Sequence, residues 1–285
     1  VTDVDRRASG PERREERGPA GRGALDLKTD QPHTARMYDY YLGGKDHFPA
    51  DREAAEAAIA AFPNARTTAR QNRAFMNRTV RYLAGEAGIR QFLDIGTGIP
   101  TSPNLHEVAQ EIVPEARIVY TDNDPIVLAH ARALLVSTPQ GRTTYVEADL
   151  RDVERILEAP QLSATLDLSR PVALSMVAIG HFIPDVGDPY GIVRRFLAAL
   201  PSGSYLVLSH GTADHDPGME QMADIYRGRG IPFRNRNKAE VERFFDGLEL
   251  VDPGVVLVHY WRPDGAVGKL TDMEVGIYGG VALKP

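Results

Sequence analysis

The chain contains no cysteine, no long apolar run and little excess charge, and each absence narrows what it can do. Without cysteine there is no disulfide, no thiolate nucleophile and no Cys-ligated zinc or iron–sulfur centre, and no other metal site is expected. No stretch approaches the roughly 18–20 consecutive apolar residues that span a bilayer, and no signal-like segment follows the N-terminus. A cytoplasmic protein without a membrane partner is therefore expected. A net charge of −6 gives nucleic acid no overall attraction to the chain.

What is present suits a globular protein: 42% hydrophobic and 25% charged residues over 285 positions, enough for one α/β core with an appended segment. Residues 1–28 are the exception. They mix Arg6, Arg7, Arg13, Arg14, Arg17 and Arg22 with acids and glycines and offer almost nothing to bury. Such a composition predicts a flexible tail, with a nucleic-acid-binding arm as the alternative.

Three helices should follow. Thr29 or Asp30 is placed to cap the first, with Pro32 in its opening turn and Gly43-Gly44 at its end; Pro49 and Asp51 open a second that Pro63 ends; a third covers 65–84. Strand and helix then alternate, with strands near 90–95, 116–121, 143–147, 171–177 and 203–209 and helices near 102–112, 125–136, 152–158, 189–199 and 215–228. That alternation predicts a parallel sheet with right-handed crossovers. A short helix at 238–246 precedes strands at 248–251 and 255–261, and the chain closes with 276–283. Two late strands with no helix between them predict a terminal antiparallel hairpin.

Chemistry enters with Gln91-Phe92-Leu93-Asp94-Ile95-Gly96-Thr97-Gly98-Ile99-Pro100 and the later Arg117-Ile118-Val119-Tyr120-Thr121-Asp122. An apolar strand ending in two glycines lets a nucleotide-like ligand approach the backbone, and an acid at the tip of the next strand can grip ribose hydroxyls. Two departures argue against a dinucleotide. Pro100 has no N–H to offer a pyrophosphate, and Asp94 would repel one. A ligand carrying an ammonium and a sulfonium would instead be attracted, so S-adenosylmethionine (SAM) fits better than NAD(P). A tight turn that binds nothing is the bland alternative.

Further along, Asn123-Asp124-Pro125 opens a helix, and the strand ending Ala148-Asp149-Leu150 supplies an acid for an adenine amino group with Leu150 beside the ring. The apolar run Pro171-Val172-Ala173-Leu174-Ser175-Met176-Val177 reads as a strand buried on both faces and leads into Gly180-His181-Phe182.

Taken together, these segments resemble a class I SAM-dependent methyltransferase, and more narrowly a bacterial S-adenosyl methyltransferase family first described as a domain of unknown function. The narrower resemblance rests on Pro32-His33-Thr34-Ala35-Arg36-Met37-Tyr38-Asp39-Tyr40-Tyr41-Leu42-Gly43-Gly44-Lys45-Asp46, Phe48-Pro49-Ala50-Asp51-Arg52, the Asp94–Pro100 turn, Tyr120-Thr121-Asp122-Asn123-Asp124-Pro125 and Tyr278-Gly279-Gly280-Val281. It implies a Rossmann-like α/β fold with a seven-stranded, mostly parallel sheet whose last strand inserts antiparallel. The cofactor it implies is SAM, and the acceptor is left open, a small molecule being expected. Residues 29–88 would form an N-terminal helical extension or lid and residues 89–285 the SAM-binding core.

The candidate cofactor-binding set is Asp94, Gly96, Thr97, Gly98, Asp122, Asn123, Asp149, Leu150 and Met176. Asp122 can alternatively cap the following helix, and Asp149 the helix at 152–158. His181 follows the fourth strand, where doubly wound folds expose residues, and is a candidate general base near the transferred methyl. It can equally be packed on Phe182 with one nitrogen bonded to backbone. Tyr38 and Tyr41 on the first helix either pack on the core or belong to a lid over the acceptor. Arg66, Arg70 and Arg73 share one helix face, either solvated or anion-binding. Two rivals stand beside a methyltransferase: a SAM-binding protein without catalysis and an NAD(P)-dependent oxidoreductase.

Overall fold

The computed structural model describes residues 28–134, 136–265 and 270–285; the tail expected over 1–28 lies outside the described residues but for Lys28, and the helix expected to reach 136 is described only to Leu134, Val136 standing outside it. Ten α-helices and eight strands alternate among the described residues. The helices are α1 (Thr34–Leu42), α2 (Pro49–Ala61), α3 (Ala65–Gly85), α4 (Leu105–Ile112), α5 (Pro125–Leu134), α6 (Val153–Leu157), α7 (Pro160–Ser163), α8 (Pro189–Ala198), α9 (Gly218–Gly228) and α10 (Lys238–Glu242). The strands are β1 (Gln91–Ile95), β2 (Arg117–Asp122), β3 (Arg142–Glu147), β4 (Ala173–Val177), β5 (Tyr205–Gly211), β6 (Glu249–Leu250), β7 (Val256–Leu257) and β8 (Ile277–Leu283).

Sheet order is 3-2-1-4-5-8-6, with β1 to β5 parallel and β8 antiparallel to β5. The terminal hairpin expected from the sequence does not form. β6 and β7 both pair with β8, opposite Leu283-Ala282 and Gly279-Tyr278 in turn, so they are two pieces of one edge strand interrupted by Asp252-Pro253-Gly254. Proline donates no ladder hydrogen bond, which accounts for the break. Seven strand positions result, as the methyltransferase resemblance implies.

Alternation along the strands decides which residues reach the site. Leu93, Ile95, Val119, Leu174, Met176, Leu206 and Leu208 point to one face, where α6, α7, α8 and α10 cover them. Phe92, Ile118, Tyr120, Ala173 and Val207 point to the other, covered by α3, α4 and the buried Trp261. A third cluster joins Met37 and Tyr41 of α1, Ala54, Ala55 and Ala58 of α2, the start of α3, and Met219, Met222 and Tyr226 of α9. Helix α3 is thus a core layer, and only α1 and α2 lie beyond it.

Several boundaries moved for local reasons. Helix α1 starts after His33, whose Nδ1 accepts the Ala35 N–H at 3.3 Å, so Pro32 stands outside rather than in its first turn. Helix α4 starts at Leu105, because Asn104 accepts the Thr101 N–H at 3.0 Å and its own N–H is held by Glu107 at 2.6 Å. Helix α7, opened by Pro160, was not foreseen.

Candidate active site

Strands β1 and β4 are neighbours from which the chain winds outward in opposite directions, and open α/β sheets leave a crevice beyond the strand ends at such a point. The turn after β1 and the loop after β4 line one cleft there, about 1230 Å³ including its open mouth. Helices α1, α3 and α9 close it from above.

The turn is built by its glycines. Gly96 and Gly98 have φ of 74° and 68°, the left-handed region that side chains disfavour. A Cβ on Gly96 would lie 2.6 Å from Ile179 Cγ1, whereas one on Gly98 would meet no protein atom within 4 Å. Gly96 therefore serves packing and Gly98 faces open cleft. The backbone donors of the turn are already engaged: Gly96 and Thr97 N–H bond to the Thr121 carbonyl at 2.8 and 3.2 Å, and Gly98 N–H bonds to Asp122 Oδ2 at 2.9 Å. None of these three is left for a pyrophosphate, which counts against a dinucleotide.

Asp94 and Asp122 share the cleft with Tyr120 because all three occupy the same strand face. Both carboxylates are buried, and burial pushes both above the ordinary aspartate value. For Asp94 the hydroxyls of Ser175 and Thr97 and the charge of Arg73 oppose it; for Asp122 the Asp124 and Gly98 N–H groups do. Asp122 receives those two N–H groups at 2.9 Å each, and a carboxylate retains acceptor sites for ribose hydroxyls beyond them. A cationic, ribose-bearing ligand such as SAM fits two buried acids and a Gly98 cradle.

Asn123, Asp149 and Leu150 stand outside the cleft lining. Asp149 is bound by Arg151 at 2.8 and 2.5 Å and by Asn123 at 3.3 Å, and these hydrogen bonds hold it below its ordinary value, the Arg151 side chain most of all. Met176 is a correction. Strand alternation turns it to the opposite face, where it is 2% exposed in the core, and its neighbour Val177 lines the cleft instead.

His181 lines the cleft, packed between Phe182 and Phe233 with ring centroids at 4.3 and 4.7 Å. The tautomers of His210 and His181 each follow from the donor beside the ring. Arg236, fully buried, only donates, so His210 Nε2 accepts from it at 2.8 Å and His210 carries its proton on Nδ1, 2.9 Å from the Gly211 carbonyl. The Gly211 N–H in turn donates to His181 Nδ1 at 3.3 Å, leaving the His181 proton on Nε2. Burial, reinforced by the Arg236 charge, lowers the His181 pKa to about 3. A ring whose lone pair is engaged and whose pKa is that low does not serve as a general base near neutrality. Of the two readings of His181, the structure shows the ring packed on Phe182 with Nδ1 bonded to backbone, which leaves it an Nε2–H donor and no acceptor.

Tyr38 and Tyr41 both line the cleft, and neither is loose. Tyr38 donates to the Ala69 carbonyl at 3.1 Å and accepts from Asn72 Nδ2 at 2.9 Å; Asn72 is itself bound by Ser209 Oγ at 2.7 Å. Gly44 leaves room for the Asp39 carboxylate, which a Cβ there would overlap and which accepts the Asp46 N–H at 2.9 Å. The arginine face also divides. Arg73 donates to the carbonyls of Thr101 and Pro103 and lines the cleft, Arg66 sits over the Tyr40 ring, and Arg70 is exposed.

Sequence reasoning missed the fastening of α1. Asp51, fully buried, accepts the His33 and Phe48 N–H groups at 2.8 Å each and pairs with buried Arg36 at 3.1 Å. His33 Nδ1 also lies 3.0 Å from Asp124, two residues beyond Asp122. Burial works to raise Asp124, but His33 and the Ile126 N–H outweigh it and hold it low. Arg36 and Asp51 stood in the quoted motif; only their convergence in space was hidden.

Fold and cleft together define a SAM-dependent methyltransferase of the α/β class. The chain belongs to the family described as S-adenosyl methyltransferase, whose model matches residues 21–285. It is similar to a DUF574 family protein from Streptomyces avermitilis MA-4680, at 56% identity over 91% of this chain and 100% of that one, TM-score 0.89. A protein from Thermobifida fusca YX, provisionally described as a methyltransferase, is 41% identical over 90% of this chain and 97% of its own, TM-score 0.84. The plantazolicin methyltransferase BamL, solved with a triazolic desmethylPZN analog and SAH, shares only the fold: 8% identity over 88% and 96% of the chains, TM-score 0.51. No curated protein matches the chain. No helix among the described residues is long and apolar enough to cross a membrane.

Proposed function

We propose that the protein transfers a methyl group to a small-molecule acceptor held beneath α1 and α9. The observation that carries this reading is the continuity of one cleft, which runs from Asp94, Gly98 and Asp122 to Tyr41, His181 and Tyr226 without leaving the protein. When bound, SAM supplies an electrophilic methyl on a sulfonium. Asp122 would hold the ribose hydroxyls, Asp94 would face the cationic amino-acid portion, and Gly98 would leave room for the ligand against the backbone. Asn123, Asp149 and Leu150 beside the cleft suit the adenine edge.

The remaining residues position and enclose. Helices α1, α3 and α9 roof the cleft, and the third apolar cluster excludes water from it. In-line placement of two reactants contributes roughly 7–11 kcal/mol by itself, so the reaction does not require a histidine base. Calorimetric titration with SAM and S-adenosylhomocysteine (SAH), followed by mass spectrometry of an acceptor panel for a methyl gain, tests the reading. Binding accompanied by methylation of a small molecule supports it; binding without turnover over a broad panel favours a SAM-binding protein, and no binding overturns it.

A further inference from the structure

Beyond Asp94 and Asp122 the cleft changes character. Its far walls are Tyr38, Tyr41, Phe182, Met222, Tyr226 and Phe233, and none carries a charge. The charged residues of the lining, Arg73, Asp94 and Asp122, all belong to the turn end. Several polar tips are already paired: the Tyr41 and Tyr226 hydroxyls with each other at 2.9 Å, and the Tyr38 hydroxyl with Asn72 and Ala69. His181 differs. Its Nδ1 is taken by Gly211, and no described residue bonds its Nε2–H.

Resting on the methyltransferase reading, we propose that this chamber receives an uncharged, planar aromatic molecule that sets a hydrogen-bond acceptor atom against the Nε2–H of His181. Aromatic walls favour a flat ring, since Phe182, Tyr226 and Phe233 already meet one another at centroid distances of 5.1 to 6.1 Å in edge and stacked arrangements. A carboxylate could accept the Nε2–H, but its charge, like that of an ammonium, would meet no opposite charge in this wall, and burying an uncompensated charge is strongly disfavoured. Specificity comes from the fixed tautomer. The Gly211 N–H occupies Nδ1, so the ring donates through Nε2 and does not accept, making His181 a positioning residue for the acceptor. A buried donor left without a partner penalises a ligand of the same shape that lacks the acceptor atom.

The test uses the SAH-saturated protein at pH 8 with three matched probes, isoquinoline, naphthalene and 2-naphthoate, measured by ligand-observed NMR titration. Isoquinoline is expected to bind at least tenfold more tightly than 2-naphthoate and more tightly than naphthalene. His181→Phe should erase the preference for isoquinoline over naphthalene while naphthalene still binds. Should that variant fold poorly, ¹⁵N-histidine spectra of the wild type give an independent reading: the protonated Nε2 resonance of His181 shifts with isoquinoline and not with 2-naphthoate. Equal or tighter binding of 2-naphthoate, no probe binding at millimolar concentration, or an Nε2 resonance unmoved by bound isoquinoline would overturn the proposal. SAH affinity is measured first by calorimetry. Its absence would defeat the methyltransferase reading, and the same probes on the SAH-free protein would still decide the chamber.

Discussion

Tyr41 and Tyr226 stand 185 residues apart in sequence, yet their hydroxyls meet at 2.9 Å inside the cluster that joins α1 to α9. The roof of the cleft is therefore stitched across the whole chain, and its side chains carry stability as well as shape. Tyr41→Ala, which empties a buried ring site, should cost about 3–5 kcal/mol in urea denaturation, the range for large aromatic truncations. Tyr38→Phe removes only a hydroxyl from its bonds with Asn72 and Ala69 and should cost about 1–2 kcal/mol. If Tyr41→Ala unfolds at the wild-type urea concentration, α1 is a free flap and the roof is misread.

Asp122 serves two masters, the turn and the ligand. Asp122→Asn keeps the shape but supplies one carbonyl oxygen where two oxygens now accept the Gly98 and Asp124 N–H groups. SAM affinity should fall by about 1.5–3 kcal/mol, the range for hydrogen bonds to a charged acceptor. Calorimetry on the folded variant checks it, and unchanged affinity would remove the ribose assignment.

How far the sequence reached depended on whether the physics was local. The Gly96-Thr97-Gly98 turn and Asp122 were legible because a turn after an apolar strand, and an acid at the next strand tip, are short-range signals, and the structure brings them together in one cleft. Met176 failed on parity: its strand was recognised, but a one-residue register decides the face, and Val177 took the cleft. For His181 two readings stood side by side, a base or a ring packed on Phe182 with one nitrogen bonded to backbone, and the structure shows the packed ring; what the sequence hid was the partner, the Gly211 N–H 30 positions away, which sets the tautomer. The broken edge strand was hidden for a similar reason, since β6 and β7 pair with β8 and not with each other.

The two glycines of the turn should separate in their effects. Gly96→Ala meets Ile179 at 2.6 Å as well as a disfavoured φ, so both packing and backbone oppose it. Gly98→Ala meets only the backbone cost, about 1–2 kcal/mol, because its Cβ projects into the cleft. Thermal denaturation should therefore rank Gly96→Ala well below Gly98→Ala in stability, while calorimetry of the folded Gly98→Ala shows the larger loss of SAM affinity per unit of stability lost. The reverse ranking would mean that Gly96, not Gly98, faces the ligand.

Acid should cost stability through His181 well above the carboxylate range, because the unfolded chain takes up the proton that the folded one refuses. The unfolded chain's histidine titrates near 6.5, whereas burial and the Arg236 charge lower His181 in the folded protein to about 3. Between those values the unfolded state binds a proton that the native state does not, so the stability present above pH 6.5 is lost as pH falls. Integrated from pH 7.5 to 5, one such histidine contributes a loss of roughly 2 kcal/mol. His210, also lowered by burial, acts in the same direction, while Asp94 and Asp122, raised by burial, act in the opposite one at lower pH. Comparison with His181→Phe isolates the single proton, because the other groups are common to both proteins. The stability advantage of the wild type over the variant in urea should shrink by roughly 2 kcal/mol between pH 7.5 and 5. An advantage that stays constant would mean that His181 takes up its proton in the native state, and that the Gly211 N–H does not hold the ring as described.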